Sequence, residues 1–363
     1  MIASGSSVWR LTRMTLGIAF GILVFAASVS GQADQSTLTI NDDFGRTVTL
    51  RLPVKRSVVF NAYTLELIRA IAGMNVVVGV DALVGHDHFY WPTVTPDMVV
   101  GQGQMTANYE AIVALHPDVV FFPRNSVWQQ AAKALEPFGI PVVVLTAWDP
   151  DRDAFNADML GRIYQQPERA ARLTRYCQDL RALLEDRLGG VQPKTVYLEE
   201  ERSYTTVLKG SGWNTMIEGA HAVNIFGDVN VHDQPKARGD NQVFEIDPED
   251  VLARKPDLIV KLDQRGVFET QPPAYVTSTL RSIAARPGFD QLEAVRNHQV
   301  YLLDGKLTHG CTKLIGSIQL AKWLYPDRLR DIDPDREANE WMRRFQGLPA
   351  PRDRYWVPLA AVR

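Results

Sequence analysis

The chain has 363 residues, which is enough for about two domains of ordinary size. Its formal net charge of −3 gives no sign of a basic surface, so nucleic acid is not an expected partner. Its 2 cysteines, Cys177 and Cys311, are too few for a disulfide framework, and the sequence leaves open whether they pair.

Residues 1–33 have the layout of a secretory signal peptide. Arg10 and Arg13 precede an apolar run at 14–29, and small residues follow at 30–33. Because a spanning helix needs about 20 apolar residues, this layout favours a cleaved signal over a membrane anchor. No cysteine lies near the expected cleavage point, so we expect a protein that is free in the periplasm and not a lipoprotein.

The segment 34–150 is predicted to form an N-terminal lobe of the α/β class. Alternating residues at 38–50 predict a hairpin. A buried strand and a helix that ends at Gly73 follow it. The apolar runs at 76–80 and 141–145 predict two more strands.

A long connecting helix is predicted within 151–190. Pro167 interrupts the pattern and is expected at the first position of a second helical segment. An apolar stripe with helical spacing continues to Leu188, where two glycines end the helix. Such a helix between two α/β lobes is expected to act as a rigid connection.

The segment 191–330 is predicted to form a C-terminal lobe, and 331–363 a last helix and a tail. A late strand is expected at 299–303 and a helix at 314–324. The tail after Gly347 is rich in proline, so we expect it to lie along the surface.

One sequence pattern occurs twice, at 108–122 and at 246–262. Each copy begins with a helix cap and has a glutamate two residues later, Glu110 in the first and Glu249 in the second. Each then reaches a helix-breaking Pro-Asp and an apolar stretch. This is half of an α/β unit, and its duplication predicts two similar lobes with a ligand between them.

Several phrases, taken in order, make the chain resemble the cobalamin and ferric-siderophore class of periplasmic substrate-binding proteins of ABC importers. They are DDFGRTVTL, SVVFNAYTLELIRAIAG, the repeated phrases ending in HPDVVFF and KPDLIVKL, LGRIYQQPERAARL, and PGFDQLEAVRNHQVYLLDG. The resemblance implies two Rossmann-like lobes with mainly parallel sheets, joined by one rigid helix, with the ligand held between them. It also implies that Glu110 and Glu249 dock on arginines of the membrane permease. A glutamate in a first helical turn is also favoured by the helix dipole alone.

Ligands of open α/β sheets bind outside the carboxyl ends of the strands, which selects the loops there. Arg124 and Arg265 follow the strands of the two repeats and suit an anionic chelate. Aromatic side chains on these loops suit a large or flat ligand, and Tyr63 and Trp148 are preferred because each follows a buried strand. The expected ligand-binding residues are Tyr63, His88, Tyr90, Trp91, Gln104, Arg124, Trp148, Tyr204, Trp213, Arg265 and His309.

His86, His88 and His309 are candidates for direct coordination of zinc, nickel or copper. In a second interpretation, one histidine completes the shell of a metal that a chelator already holds. Residues on a surface loop need not converge, so the sequence does not decide between them.

The predicted function is that of a binder and not of an enzyme. The chain has no Gly-x-Ser-x-Gly elbow and no His-Glu-x-x-His helix. We expect a monomeric substrate-binding component of an ABC importer without a resident cofactor, which carries a ferric siderophore to an inner-membrane permease. Cobalamin or another metallophore, and direct binding of a transition metal, are the alternatives.

Overall fold

The computed structural model describes residues 36–85, 87–148, 150–233, 243–263, 273–349 and 354–362. The expected signal peptide lies outside these ranges, as do His86 and Arg265. Within these ranges, no helix has the length and apolar character needed to cross a membrane.

The first lobe is built on a four-stranded parallel sheet. The strands of this lobe are β1 (Thr37–Asn41), β2 (Thr47–Arg51), β3 (Ser57–Val59), β4 (Val77–Val80), β5 (Gly101–Gly103), β6 (Thr106–Ala107), β7 (Val119–Phe122) and β8 (Val142–Val144). The order in the parallel sheet is β4-β3-β7-β8. Its helices are α1 (Ala62–Ile71), α2 (Ala82–Gly85), α3 (Tyr109–Ala114) and α4 (Trp128–Leu135). The strands β1 and β2 form the expected antiparallel hairpin.

Turn chemistry explains why that hairpin forms. The Asp42 carboxylate accepts hydrogen bonds from the backbone N–H groups of Phe44 and Arg46, each at 3.0 Å. Gly45 has φ of 69°, a left-handed conformation that glycine adopts without steric cost. The turn is therefore set by an aspartate that bonds to the backbone ahead of it and by a glycine.

Two helices connect the lobes: α5 (Asp153–Ile163) and α6 (Pro167–Leu188), with Pro167 at the start of α6 as expected. The predicted apolar stripe of α6 is buried. Along its length, α6 contacts α1 of the first lobe and α11 (Thr312–Leu324) of the second. This is the geometry of a rigid connection that is packed against both lobes.

The second lobe is built on a mixed sheet. Its strands are β9 (Thr195–Glu199), β10 (Thr205–Val207), β11 (Val223–Asn224), β12 (Val243–Glu245), β13 (Leu258–Asp263), β14 (Val300–Asp304) and β15 (Trp356–Pro358). Their order in the sheet is β12-β10-β9-β13-β14-β15, and β11 also pairs with β9. Its other helices are α7 (Asn214–Gly219), α8 (Pro248–Arg254), α9 (Pro273–Ala284), α10 (Glu293–Arg296) and α12 (Pro334–Arg344). The central strands β9, β13 and β14 are parallel, so the predicted fold class is confirmed.

The C-terminal tail, which was expected along the surface, also contributes a strand. Its strand β15 pairs antiparallel with β14 and ends the sheet. An edge strand tolerates proline because one side of it needs no ladder hydrogen bonds, and Pro358 lies at its end. The tail is therefore part of the second sheet.

The duplicated Pro-Asp has an equivalent structural role in each lobe. Asp118 accepts hydrogen bonds from the backbone N–H groups of Lys55 and Arg56, just before β3, at 2.7 and 2.8 Å. Asp257 accepts one from the backbone N–H of Thr195, at the start of β9, at 2.7 Å. In both lobes, the aspartate before a central strand fixes the start of its neighbour, which explains why the pair Pro-Asp recurs.

Cys177 and Cys311 form a disulfide that links α6 to the residue before α11, with the Cα atoms 6.0 Å apart. Because the bridge closes a separation of 134 residues, we expect its loss to lower the free energy of unfolding by about 2–5 kcal/mol. Urea unfolding of the double variant C177S/C311S measures this, and reduced wild-type protein should match it. An unchanged unfolding midpoint in both would contradict the expected contribution.

Candidate functional site

Three aromatic side chains from the carboxyl ends of three strands meet between the lobes. Tyr63 lies in the first turn of α1, Trp148 follows β8, and His309 follows β14. The ring centroids of Tyr63 and His309 are 4.4 Å apart, and those of Tyr63 and Trp148 are 6.1 Å apart. We call these residues the interlobe cluster.

Local structure positions Tyr63 at the beginning of α1. The side chain of Asn61 accepts hydrogen bonds from the backbone N–H groups of Tyr63 and Thr64, at 3.0 and 3.3 Å, and so caps the helix. Burial, followed by the charges of Glu66 and Glu200, raises the pKa of Tyr63. The phenol therefore keeps its proton and is available as a hydrogen-bond donor.

The His309 ring is buried, with 7% of the residue exposed. Neither ring nitrogen has a hydrogen-bond partner within the part of the chain that the structure describes. Burial first, and then the charges of Lys306 and Lys313, hold the pKa of His309 well below its usual range. At neutral pH the ring is therefore uncharged, with one N–H donor and one acceptor nitrogen.

The low pKa of His309 makes stability depend on pH. In the unfolded chain a histidine protonates near pH 6.5, whereas the folded ring resists protonation. The stabilising contribution is therefore present above about pH 6.5 and is lost as pH falls below it, by up to about 1.4 kcal/mol per unit. Urea unfolding from about pH 7.5 to about pH 5, a range that brackets the usual histidine pKa, measures the free energy of unfolding. Its slope with pH should be steeper in wild type than in H309Q. Equal slopes would contradict the assignment.

Two buried lysines lie on the same segment as His309 and reach the first lobe. The Lys313 ammonium donates to the carbonyl oxygens of Trp148 and Gly212, each at 2.6 Å. The Lys306 ammonium lies 3.2 Å from the Glu66 carboxylate, with both side chains less than 5% exposed (4% and 3%). Sequence reasoning missed both lysines, although they belong to the polar loop that follows β14.

Tyr90 and Trp91 lie in the interior, with 0% and 2% of each residue exposed. The Arg69 guanidinium lies 4.2 Å from the Tyr90 ring centroid and 4.0 Å from that of Trp91. The Lys306 ammonium lies 3.6 Å from the Tyr90 centroid. The structure thus places these two candidates in the interior, where cationic side chains lie over their rings.

Gln104 and Arg124 lie on first-lobe loops. The Gln104 amide accepts from the Asn61 side chain at 3.4 Å and donates to that of Asn125 at 2.9 Å, so it joins two loops at the carboxyl edge. Arg124 is half-buried, and its backbone N–H donates to the Thr146 hydroxyl at 3.2 Å.

Of the other second-lobe candidates, two lie within the described residues. Tyr204 is half-buried, with the Arg286 guanidinium 4.3 Å from its ring centroid. Trp213 is buried at the start of α7. Arg265, the intended partner of Arg124, is outside the described residues.

A buried ion cluster holds the loop that carries Tyr204. Glu199 accepts two hydrogen bonds from Arg286, at 2.6 and 2.9 Å, and one from Lys261 at 3.0 Å. It also accepts from the backbone N–H of Tyr204 at 2.9 Å. Burial opposes ionisation, but Arg286 and Lys261 hold the pKa of Glu199 below its usual range. The carboxylate therefore stays charged and fixes the loop.

Of the three histidines proposed for direct metal binding, two lie within the described residues. His88 is exposed, His309 is buried, and His86 is outside the described ranges. The group with potential metal ligands in those ranges is Asp153, Cys177 and Cys311, whose two sulfur atoms form the disulfide.

Glu110 and Glu249 occupy equivalent exposed positions in the first turns of α3 and α8. Each helix has a side-chain cap: Asn108 accepts from the backbone N–H of Ala111, and Asp247 from that of Glu249, both at 3.0 Å. Each lobe therefore presents one carboxylate to solvent from a matched site.

The chain matches the family model described as periplasmic binding protein over residues 67–307. It belongs to that family. Family members and relatives are solute-binding proteins, which confirms the expectation of a binder in place of an enzyme. The resemblance stated from the sequence is confirmed with it.

Among curated relatives of this periplasmic binding protein, the molybdate-binding protein MolA of Haemophilus influenzae is 24% identical over 355 residues, which cover 89% of this chain and 94% of MolA. The uncharacterized ABC transporter substrate-binding lipoprotein YvrC of Bacillus subtilis is 25% identical over 311 residues, 81% of this chain and 87% of YvrC.

Two solved structures share the fold. MolA bound to molybdate is 22% identical, with a TM-score of 0.68 over 86% of this chain and 98% of that one. The TroA-like periplasmic binding protein FepB of Veillonella parvula is 24% identical, with a TM-score of 0.72 over 89% of this chain and 99% of that one. At these identities the likeness concerns the fold.

Proposed function

We propose that this protein captures an anionic metal complex between its lobes and delivers it to an ABC permease in the inner membrane. The supporting observation is the buried His309 ring next to Tyr63, whose nitrogens have no partner within the described part of the chain. A buried polar group without a hydrogen bond is costly, so a ligand that accepts from it is strongly favoured.

The charges around His309 favour an anion. Lys306 and Lys313 both oppose protonation of the ring, so these two charges make the electrostatic potential at its nitrogens more positive. Glu66 offsets part of the charge of Lys306, and Glu66 and Glu200 act in the opposite sense on the neighbouring Tyr63. The same potential disfavours a bare zinc, nickel or copper ion, even though the neutral ring has a lone pair that could bind one.

A ferric siderophore is the ligand class that we put first. Tyr63 and Trp148 add aromatic surface to the polar contacts, a combination that suits large chelates. Arg124 is half-buried at the carboxyl edge of the same lobe and supplies a further positive charge. Cobalamin and other metallophores resemble ferric siderophores in size, and they too could pack against the aromatic side chains.

A metal oxyanion is the second candidate. The likeness to MolA, a molybdate-binding protein, extends over nearly the full length of both chains. A compact oxyanion would need the single N–H donor of His309 and its cationic surroundings more than the aromatic surface.

We further propose that the mature protein is exported, monomeric and free in the periplasm. The relative YvrC is a lipoprotein by name. In this chain, no cysteine occurs between residue 1 and Cys177 that could carry a lipid near the expected cleavage point.

Tryptophan fluorescence tests the ligand class, since Trp148 belongs to the interlobe cluster. The purified protein is titrated with ferric catecholate, hydroxamate and citrate complexes, with cobalamin, with molybdate, and with zinc and nickel salts. We expect saturable quenching by a ferric chelate and none by the bare cations. A response to zinc or nickel alone would overturn the proposal, and a response to molybdate alone would select the second candidate.

A further inference from the structure

One short segment of the second lobe makes several contacts with the first lobe: residues 305–313, which end in the first turn of α11 and are here called the crossing loop. Lys306 pairs with Glu66 of α1, and the His309 ring lies against Tyr63. Lys313 donates to the Trp148 carbonyl. One loop thus carries an ion pair, a ring contact and a hydrogen bond to the first lobe.

Lys313 differs from Lys306 and His309 because its side chain binds a backbone carbonyl in each lobe. Its ammonium binds the carbonyl oxygen of Trp148, which follows the last strand of the first lobe, and that of Gly212, which precedes α7 in the second. Only 1% of Lys313 is exposed. A buried ammonium is tolerated when carbonyl groups replace its water shell, and a compact cation with several donors suits two such oxygens.

The backbone of the crossing loop also approaches the first lobe closely. Gly310 has φ of +43°, and a Cβ atom there would lie 3.0 Å from the Ala147 carbonyl oxygen. The loop therefore reaches Ala147 and Trp148 through a glycine and a lysine. The disulfide of Cys311 anchors the same loop to α6.

We propose that Lys313 is a positioning residue that closes the two lobes. By binding a carbonyl of each lobe, it holds Trp148 beside Tyr63 and His309 and slows the opening through which a ligand leaves. The closing role stands on the contacts alone, whereas the effect on ligand retention rests on the proposed function.

Lys322 provides a matched control on the same helix. Its ammonium also donates to two carbonyl oxygens, those of Leu329 and Ile332. Both acceptors follow α11 directly in the chain and do not belong to the first lobe. Replacing Lys322 removes the same chemistry without removing a contact between the lobes.

The test measures the distance between the lobes in ligand-free protein by double electron–electron resonance. Spin labels are attached at Gln130→Cys in α4 and Glu293→Cys in α10, which are exposed, while both native cysteines are held in the disulfide. We expect K313M to shift and broaden the distances towards longer values. K322M should retain the wild-type distribution.

Ligand dissociation is the second measurement, made by stopped flow with any member of the titration panel that binds. Loss of the two charged hydrogen bonds is expected to accelerate dissociation by about tenfold or more in K313M and not in K322M. K313Q, whose shorter side chain cannot span both carbonyls, replaces K313M if that variant does not fold.

Unchanged distances in both K313M and K313Q would overturn the closing role, as would an equal change in K322M. If no member of the panel binds the wild-type protein, the proposed function fails, and the distance measurement still decides the role of Lys313.

Discussion

Replacing His309 by alanine is expected to weaken binding of the anionic ligand by about 10- to 100-fold, the effect of losing one hydrogen bond to a charged group in a buried site. The ring is buried between the lobes and its nitrogens have no partner in the described structure. In the complex, its N–H would donate to the ligand in a positive potential. Equilibrium titration of H309A against wild type measures the change.

H309Q separates the hydrogen bond from the packing. Glutamine retains an N–H donor, so H309Q should recover part of the affinity that H309A loses. His298, an exposed histidine of the second lobe, provides the control variant H298N, which should bind as wild type does. Unchanged affinity in H309A would show that the interlobe cluster does not hold the ligand.

Reversing the charges of Glu110 and Glu249 together is expected to abolish uptake while leaving ligand affinity unchanged. The two carboxylates are exposed at equivalent positions of the two lobes. We propose that the two glutamates dock on arginines of the permease; lysine at both positions would then place like charges at the interface, which costs several kcal/mol. Uptake by cells that produce E110K/E249K measures the effect, and E110A/E249A should reduce uptake less.

The control for this prediction carries the same change of net charge elsewhere. Glu136, after α4, and Glu293, in α10, are also exposed, and E136K/E293K should support normal uptake. If E110K/E249K lost ligand affinity in solution, the two glutamates would belong to the binding site. If it transported normally, they would have no part in docking.

Local patterns in the sequence were sufficient to predict most of the fold. The turn at Gly45, the helix start at Pro167 and the duplicated Pro-Asp all act through neighbouring backbone groups, which sequence spacing determines. The pairing of β15 with β14 was missed because it joins segments about 55 residues apart and its composition resembles that of a loop.

The interlobe cluster was predictable where a residue follows a strand directly. Tyr63 and Trp148 were preferred for that reason, and the structure brings them together with His309. Lys306 and Lys313 were missed because their partners lie in the other lobe, at a distance in sequence that no local pattern encodes. The disulfide was left open for the same reason, since only coordinates give the separation of the Cα atoms.

Native mass spectrometry with elemental analysis, on protein taken directly from its source compartment, tests the central claim most directly. We expect one metal complex per chain, released as an intact anionic chelate, to be present in wild type and depleted in H309A. A bare divalent metal ion, or a ligand without metal, would contradict an interlobe site built for an anionic metal complex.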